Sequence, residues 1–114
     1  MLLNCSKIPA SKWTRAQLDM AQTMYSQVQD MAFPSIDPLT TSTQIAELAQ
    51  AYAQQIALQK PQAVHVMGDP IFVYVLVRLL QGQGITCIAS ATRPNGRSYD
   101  FIQFRPYPTI GHVG

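Results

Sequence analysis

The side chains able to do chemistry gather in three short stretches: Asn4-Cys-Ser6-Lys7 with Lys12 and Trp13, then Gly68-Asp69-Pro70, then Ser90 with Thr92, Arg93 and Arg97. Five of the eight Lys and Arg residues (Lys7, Lys12, Arg15, Arg93, Arg97) fall in the first and third stretches. With a formal net charge of only +2, such clustering suits an anion site for one or a few phosphates, whereas bulk attraction of duplex nucleic acid is not expected. Polar, solvated loops would show the same pattern. Gly68-Asp69-Pro70 has the order turn residue, N-cap, N1 proline, and reads as a helix start. Asp69 would repel a phosphate there unless its carboxylate turned away or took a ribose hydroxyl. Neither a Gly-x-Gly-x-x-Gly nor a Walker pattern is present, so no dinucleotide or triphosphate cofactor is expected.

His65, between Val64 and Val66, reads as a satisfied core histidine rather than a catalytic one, and His112 falls in a Gly-rich tail. No Ser-His-Asp, paired-carboxylate or metal-ligand pattern stands out. Two cysteines, Cys5 and Cys87, make neither a disulfide framework nor a zinc site, which points to reducing cytoplasm. The N-terminus lacks the basic and apolar segments of a signal peptide. The longest apolar run, Ile71 to Val77, is far short of the ~20 residues that a membrane span needs.

The chain has 114 residues, 47% of them apolar and 12% charged, as befits one globular domain and not a disordered or highly charged arm. We expect residues 1–107 to form it, with 108–114 as a flexible tail. Strands are expected at Met1–Cys5, Val28–Phe33, Ala63–Met67, Ile85–Ala89 and Ser98–Arg105, with Ser90–Arg97 as a loop. Thr14-Arg-Ala-Gln17 has the form of a capping box, opening a helix with Leu18, Ala21 and Tyr25 on one face. Ser42 can cap a second helix, with Ile45, Leu48, Ala49, Tyr52 and Ile56 on one stripe, that ends before Pro61. A third runs from Pro70 to about Leu80. This third helix is apolar almost all round, so it is either covered by a partner subunit or enclosed by its own chain.

Strands alternating with helices predict an α/β domain with a mostly parallel five-stranded sheet, order 2-1-3-4-5, the last strand antiparallel. Ligands bind such sheets at the carboxyl ends of the strands where the order reverses. The loops after Cys5, Met67 and Ala89 should therefore meet, bringing Asn4, Ser6, Lys7, Gly68, Asp69, Ser90, Thr92 and Arg93 to one pocket.

Asn4-Cys-Ser6, Pro9, Trp13, Phe33-Pro-Ser-Ile-Asp-Pro38, Ala63-Val-His-Val-Met-Gly-Asp69, Gly84-Ile-Thr-Cys-Ile-Ala-Ser90 and Phe104-Arg105 together carry a resemblance. Over nearly its whole length the chain resembles the small single-domain CRISPR-associated proteins related to the CARF-like (Rossmann-like) sensor domains and ring nucleases of type III systems. The resemblance implies a three-layer Rossmann-like fold. It also implies a homodimer, here through the helix Ile71–Leu80, that binds a cyclic oligoadenylate and, in nuclease members, cuts it without a metal. The chain departs from that pattern at Ile8, at Asp69 and at Ala91-Thr-Arg93. Attack by the ligand's own 2′-OH needs only alignment and charge stabilisation, and Ser6, Lys7, Thr92 and Arg93 could supply both. Asn4, Gly68, Asp69, Ser90 and Arg97 are the further ligand-binding candidates, and Trp13 or Tyr74 could stack an adenine. Sequestration of the ring without cleavage, or an interaction protein that binds no nucleotide, are the alternatives.

Overall fold

The apolar run Leu2–Cys5 is buried along its whole length and forms β1, an interior strand of the sheet. On either side of it lie β2 (Val28–Asp30) and β3 (Ala63–Val66), both parallel to it. Beyond β3 come β4 (Thr86–Asn95), also parallel, and then β5 (Ser98–Pro106), which returns antiparallel. The order is therefore β2-β1-β3-β4-β5, as expected, in a computed structural model that describes residues 1–109. The expected tail is thus described only at Pro108 and Thr109; the rest of it, with His112, lies outside the described residues.

Three helices complete the layers: α1 (Arg15–Tyr25), α2 (Ser42–Gln59) and α3 (Pro70–Gly82). Because side chains alternate across a strand, each strand feeds two cores. Leu3, Cys5, Val64, Val66 and Cys87 pack against Ile45, Ala49, Ile56, Phe72, Leu76 and Leu80 of α2 and α3. Leu2, Ala63 and Ile88 pack on the opposite face with Ala21 of α1, Trp13 and Phe104. No helix among the described residues is long and apolar enough to cross a membrane.

Local chemistry explains the helix starts. Asp69 caps α3 by accepting from the backbone N–H groups of Ile71 and Phe72 at 3.0 Å each, ahead of Pro70 at N1. The cap of α2 is Thr41, not Ser42: its hydroxyl accepts from Gln44 N while Gln44 Oε1 accepts from Thr41 N, a complete capping box. At α1 only half of the expected box forms. Thr14 accepts from Gln17 N at 3.2 Å, but the Gln17 amide leaves the helix end and donates to Ser90 Oγ at 2.9 Å.

Two expected boundaries are corrected. β2 stops at Asp30 rather than Phe33, because Met31, Phe33 and Ile36 cross the end of the sheet to pack on the α2/α3 core. The expected loop Ser90–Arg97 is largely strand: β4 continues to Asn95 and pairs with β5 through to Asn95↔Ser98, leaving only Gly96 and Arg97 as the turn. Gly96 takes φ +61°, the left-handed conformation that two-residue hairpin turns require. Pro94 is tolerated because β3 pairs only with Thr86–Ile88, so the distal part of β4 has an open edge.

Cys5 and Cys87 are both buried and unpaired. They stand on β1 and β4 with β3 between them, Cys5 opposite Val66 and Cys87 opposite Val64, so the two strand spacings alone, ~9–10 Å, exceed the ~7 Å Cα span that a disulfide tolerates. Burial pushes both thiols up to about 12, and for Cys5 the Cys87 thiolate adds to the effect.

Candidate functional site

Three parallel strands present their α1-facing residues in register at the carboxyl edge of the sheet. Asn4 of β1 stands opposite His65 of β3, which stands opposite Ile88 of β4. Ser90, two residues on, is thus on the same face, one step toward the edge. Asn4 and His65 are the only buried polar residues among those described, at 1% and 2% exposure.

A continuous hydrogen-bond chain joins them. Asn4 Nδ2 donates to Asp30 Oδ1 at 2.8 Å and to the Ile8 carbonyl at 2.9 Å. Both partners can only accept, so the Asn4 amide has one orientation and its Oδ1 faces His65 Nδ1 at 2.9 Å. An amide oxygen only accepts, so Nδ1 carries the proton and Nε2 is left as a lone pair. Ser90 Oγ, 2.8 Å from Nε2, must then donate to it. Burial pulls His65 down to about 4, so the ring is neutral at physiological pH. Trp13 and Phe104 enclose it edge-on, with ring centroids 5.1 and 5.8 Å away.

Ser90 opens onto a cavity of about 520 Å³ that the α1 face shares with the loop after β1. Ser6, Lys7, Lys12, Trp13, Gln17, His65, Gly68, Ser90, Thr92, Tyr99 and Phe101 are among its lining. A bulge shapes one wall: the β4/β5 register shifts between Ala91 and Thr92, so Phe101 pairs with Thr92 while Gln103 pairs with Ala91. The extra residue, Ile102, turns Phe101 to the same face as Phe104, and their rings lie 4.8 Å apart.

The expected convergence of three loops therefore brings Ser6, Lys7, Trp13, Gly68, Ser90 and Thr92 to one cavity. Asn4 sits behind its wall, reached through Ser6, whose hydroxyl donates to Asn4 Oδ1 at 2.8 Å. Other candidates stand apart. Asp69 is spent as the cap of α3, Arg93 is exposed on the hairpin opposite Asp100, and Arg97 lies in the hairpin turn. Tyr74 faces a different groove, with Arg78 over its ring at 5.9 Å. Gln17, Tyr99 and Phe101 were not singled out from the sequence, and His65 was read only as core. Its burial and satisfied nitrogens agree with that reading, and its partner Ser90 sets it at the cavity wall, a link that spacing in the chain does not show. Among the described residues no group of three or more His, Cys, Asp or Glu side chains is placed to hold a metal.

Gly68 is tightly constrained. Its φ is +154°, and a Cβ there would lie 2.1 Å from Phe33 Cζ. Gly68→Ala is expected to displace the Phe33 ring and destabilise the fold by about 1–3 kcal/mol, read as a lowered urea midpoint. An unchanged midpoint would mean that the segment around Phe33 is not seated as described.

The fold and this cavity define a three-layer α/β domain with a largely apolar, lysine-bearing recess at the switch point of its sheet. The chain belongs to the family described as "Uncharacterized protein MJ1673 family", whose model matches residues 2–100. That match takes in every element through α3 and β4. No curated protein and no solved structure matches the chain.

Proposed function

We propose that the protein binds a cyclic oligoadenylate and cleaves it without a metal, the ring's 2′-OH attacking the adjacent phosphodiester. The observation that carries this reading is the pairing of Lys7 and Lys12 with aromatic walls from Trp13, Tyr99 and Phe101 in one recess at the switch point. Ammonium groups suit phosphates and flat rings suit bases. Ser6, Lys7 and Thr92 would stabilise the charge that develops on phosphorus. The resemblance supplies the identity of the ligand, and reducing cytoplasm is the compartment that this role implies.

A ring of several nucleotides exceeds one cavity of about 520 Å³, so the reading includes a homodimer. The α3 face supports it: Ile71 and Tyr74 remain 45% and 62% exposed in the single chain. Sedimentation should give twice the mass of the 12.6 kDa chain; a monomer at micromolar concentration removes the dimer.

The deciding experiment is incubation with cyclic tri-, tetra- and hexa-adenylate, with and without EDTA, followed by separation of products. Cleavage unaffected by EDTA is expected, with 2′-deoxy rings bound but intact. Binding without cleavage of any ring would favour the sequestering alternative. Lys7→Ala should lower turnover by roughly 10²-fold with a smaller loss of affinity. Arg93, away from the cavity, should contribute salt-dependent affinity and little rate. Equal effects from the two substitutions would remove Lys7 from the chemistry.

A further inference from the structure

We propose that Ser90 is a nucleophile activated by His65 and oriented through Asn4, and that its cavity hydrolyses carboxylic esters bearing a negative charge. The proposal goes beyond ring cleavage, since it needs neither a nucleotide nor a 2′-OH.

Two elements aim polar side chains at the Ser90 hydroxyl, His65 from β3 and Gln17 from α1. Asn4 of β1 fixes the protonated Nδ1 of His65 on β3, so that Nε2 can accept the Ser90 proton at 2.8 Å. This is the arrangement of nucleophile, base and orienting group that lets a serine attack at neutral pH. Asp30, in turn, holds Asn4, and Trp13 and Phe104 keep water from the imidazole. Ser90 itself is only partly buried and reaches the cavity.

The chemistry follows from that geometry. As Ser90 Oγ bonds to the ester carbon, its proton passes to His65 Nε2 and the carbonyl electrons move onto oxygen. Gln17 Nε2, 2.9 Å from Oγ, is the nearest neutral donor for that oxyanion, and Lys7 and Lys12 line the same space. Collapse expels the alcohol, which takes the proton from Nε2 and leaves an acyl-Ser90. Water then adds to the acyl carbon, giving its proton to Nε2; the acid departs and Oγ recovers the proton. The two lysines select esters with an anionic acyl or alcohol part, and the aromatic wall favours a flat or apolar remainder. A phosphodiester, whose non-bridging oxygens already carry negative charge around the phosphorus, is a poorer target for this nucleophile.

The test begins with the unmodified protein and a fluorophosphonate probe, the adduct being located by peptide mass mapping. Expected is one adduct, on Ser90, absent in Ser90→Ala and formed at least 10²-fold more slowly in His65→Gln. Its rate should stay flat from pH 8 to 6 and fall only under more acid conditions. The groups nearest the imidazole are Asn4, Ser90, Trp13 and Phe104, with Asp30 behind Asn4 and the cationic Lys7 and Lys12 across the cavity. p-Nitrophenyl hemisuccinate should turn over faster than neutral p-nitrophenyl butyrate, and Lys7→Ala should abolish the preference. An adduct on Ser6 or Ser98, no adduct, or equal labelling in His65→Gln overturns the proposal. An adduct with no turnover of either ester overturns its hydrolytic half. Since neither probe is a nucleotide, failure of ring cleavage leaves these outcomes unaffected.

Discussion

Phe72→Ala is expected to lower the free energy of unfolding by about 3–5 kcal/mol, the range for deleting a buried aromatic ring that its surroundings cannot refill. Phe72 is fully buried in the first turn of α3. Phe33 and Tyr52 meet it edge-on, each with ring centroids 5.3 Å away. Tyr52 is itself anchored, its hydroxyl donating to the Ala32 carbonyl at 2.8 Å. The Tyr52 ring is thus tethered to the segment that carries Phe33, which limits how far either ring can move into the space left behind. Domains of this size are stable by only ~5–15 kcal/mol, so the loss is a large share of the total. Tyr74→Ala, two residues along the same helix but 62% exposed, sets the scale and should cost less than about 1 kcal/mol. Urea denaturation compares the two. Equal losses would mean that α3 does not present Phe72 to the sheet.

The second large effect is a dependence of stability on acidity that belongs to His65. Above pH ~6.5 its imidazole is neutral whether the chain is folded or not. In the fold its pKa is lowered to about 4, because burial disfavours the charged ring. Between these values the unfolded chain takes up a proton that the folded one refuses, so stability falls as pH falls. Below about 4 both states carry the proton and no further loss arises from this group. The gap amounts to about 3 kcal/mol at 1.36 kcal/mol per pKa unit. Measured from pH 7.5 to 4.5, the wild-type protein should lose about 2–3 kcal/mol more than His65→Gln does, although the variant starts from a lower value. Parallel curves for the two proteins would show that the imidazole is not held neutral.

Strand order was legible because β1 and β3 are short apolar runs that each lead to a helix start needing little context, Gly68-Asp69-Pro70 above all. The hairpin was not. Ser90 to Asn95 carries neither an apolar run nor a helical stripe, and Pro94 and Asn95 suggest a loop; strand conformation there comes from pairing with Ser98–Phe104, which no pattern within the segment itself announces. The position of Arg93 was lost with it. The switch-point rule found the edge where Ser6, Lys7, Gly68, Ser90 and Thr92 meet, since it depends only on topology. It could not show that His65 links Asn4 and Ser90, which lie 61 and 25 residues away in the chain. The parity of the strands does contain that signal. Asn4, His65 and Ser90 share one face once the register is known, whereas Val64, Val66 and Cys87 share the other.

The two cysteines have a use that follows from their seclusion. With both thiols shielded in the α2/α3 core and pushed up to about 12, almost no thiolate meets an alkylating reagent while the fold is closed. Alkylation then proceeds only through openings of the core, and its plateau rate at high reagent measures how often β1 and β4 come free. Because the residues flank β3, a joint rate for Cys5 and Cys87 marks the sheet as a single cooperative unit. A faster rate at Cys87 would mark the β4/β5 hairpin as a part that opens by itself. The chain thus carries its own pair of clocks, one on each side of the strand that holds His65.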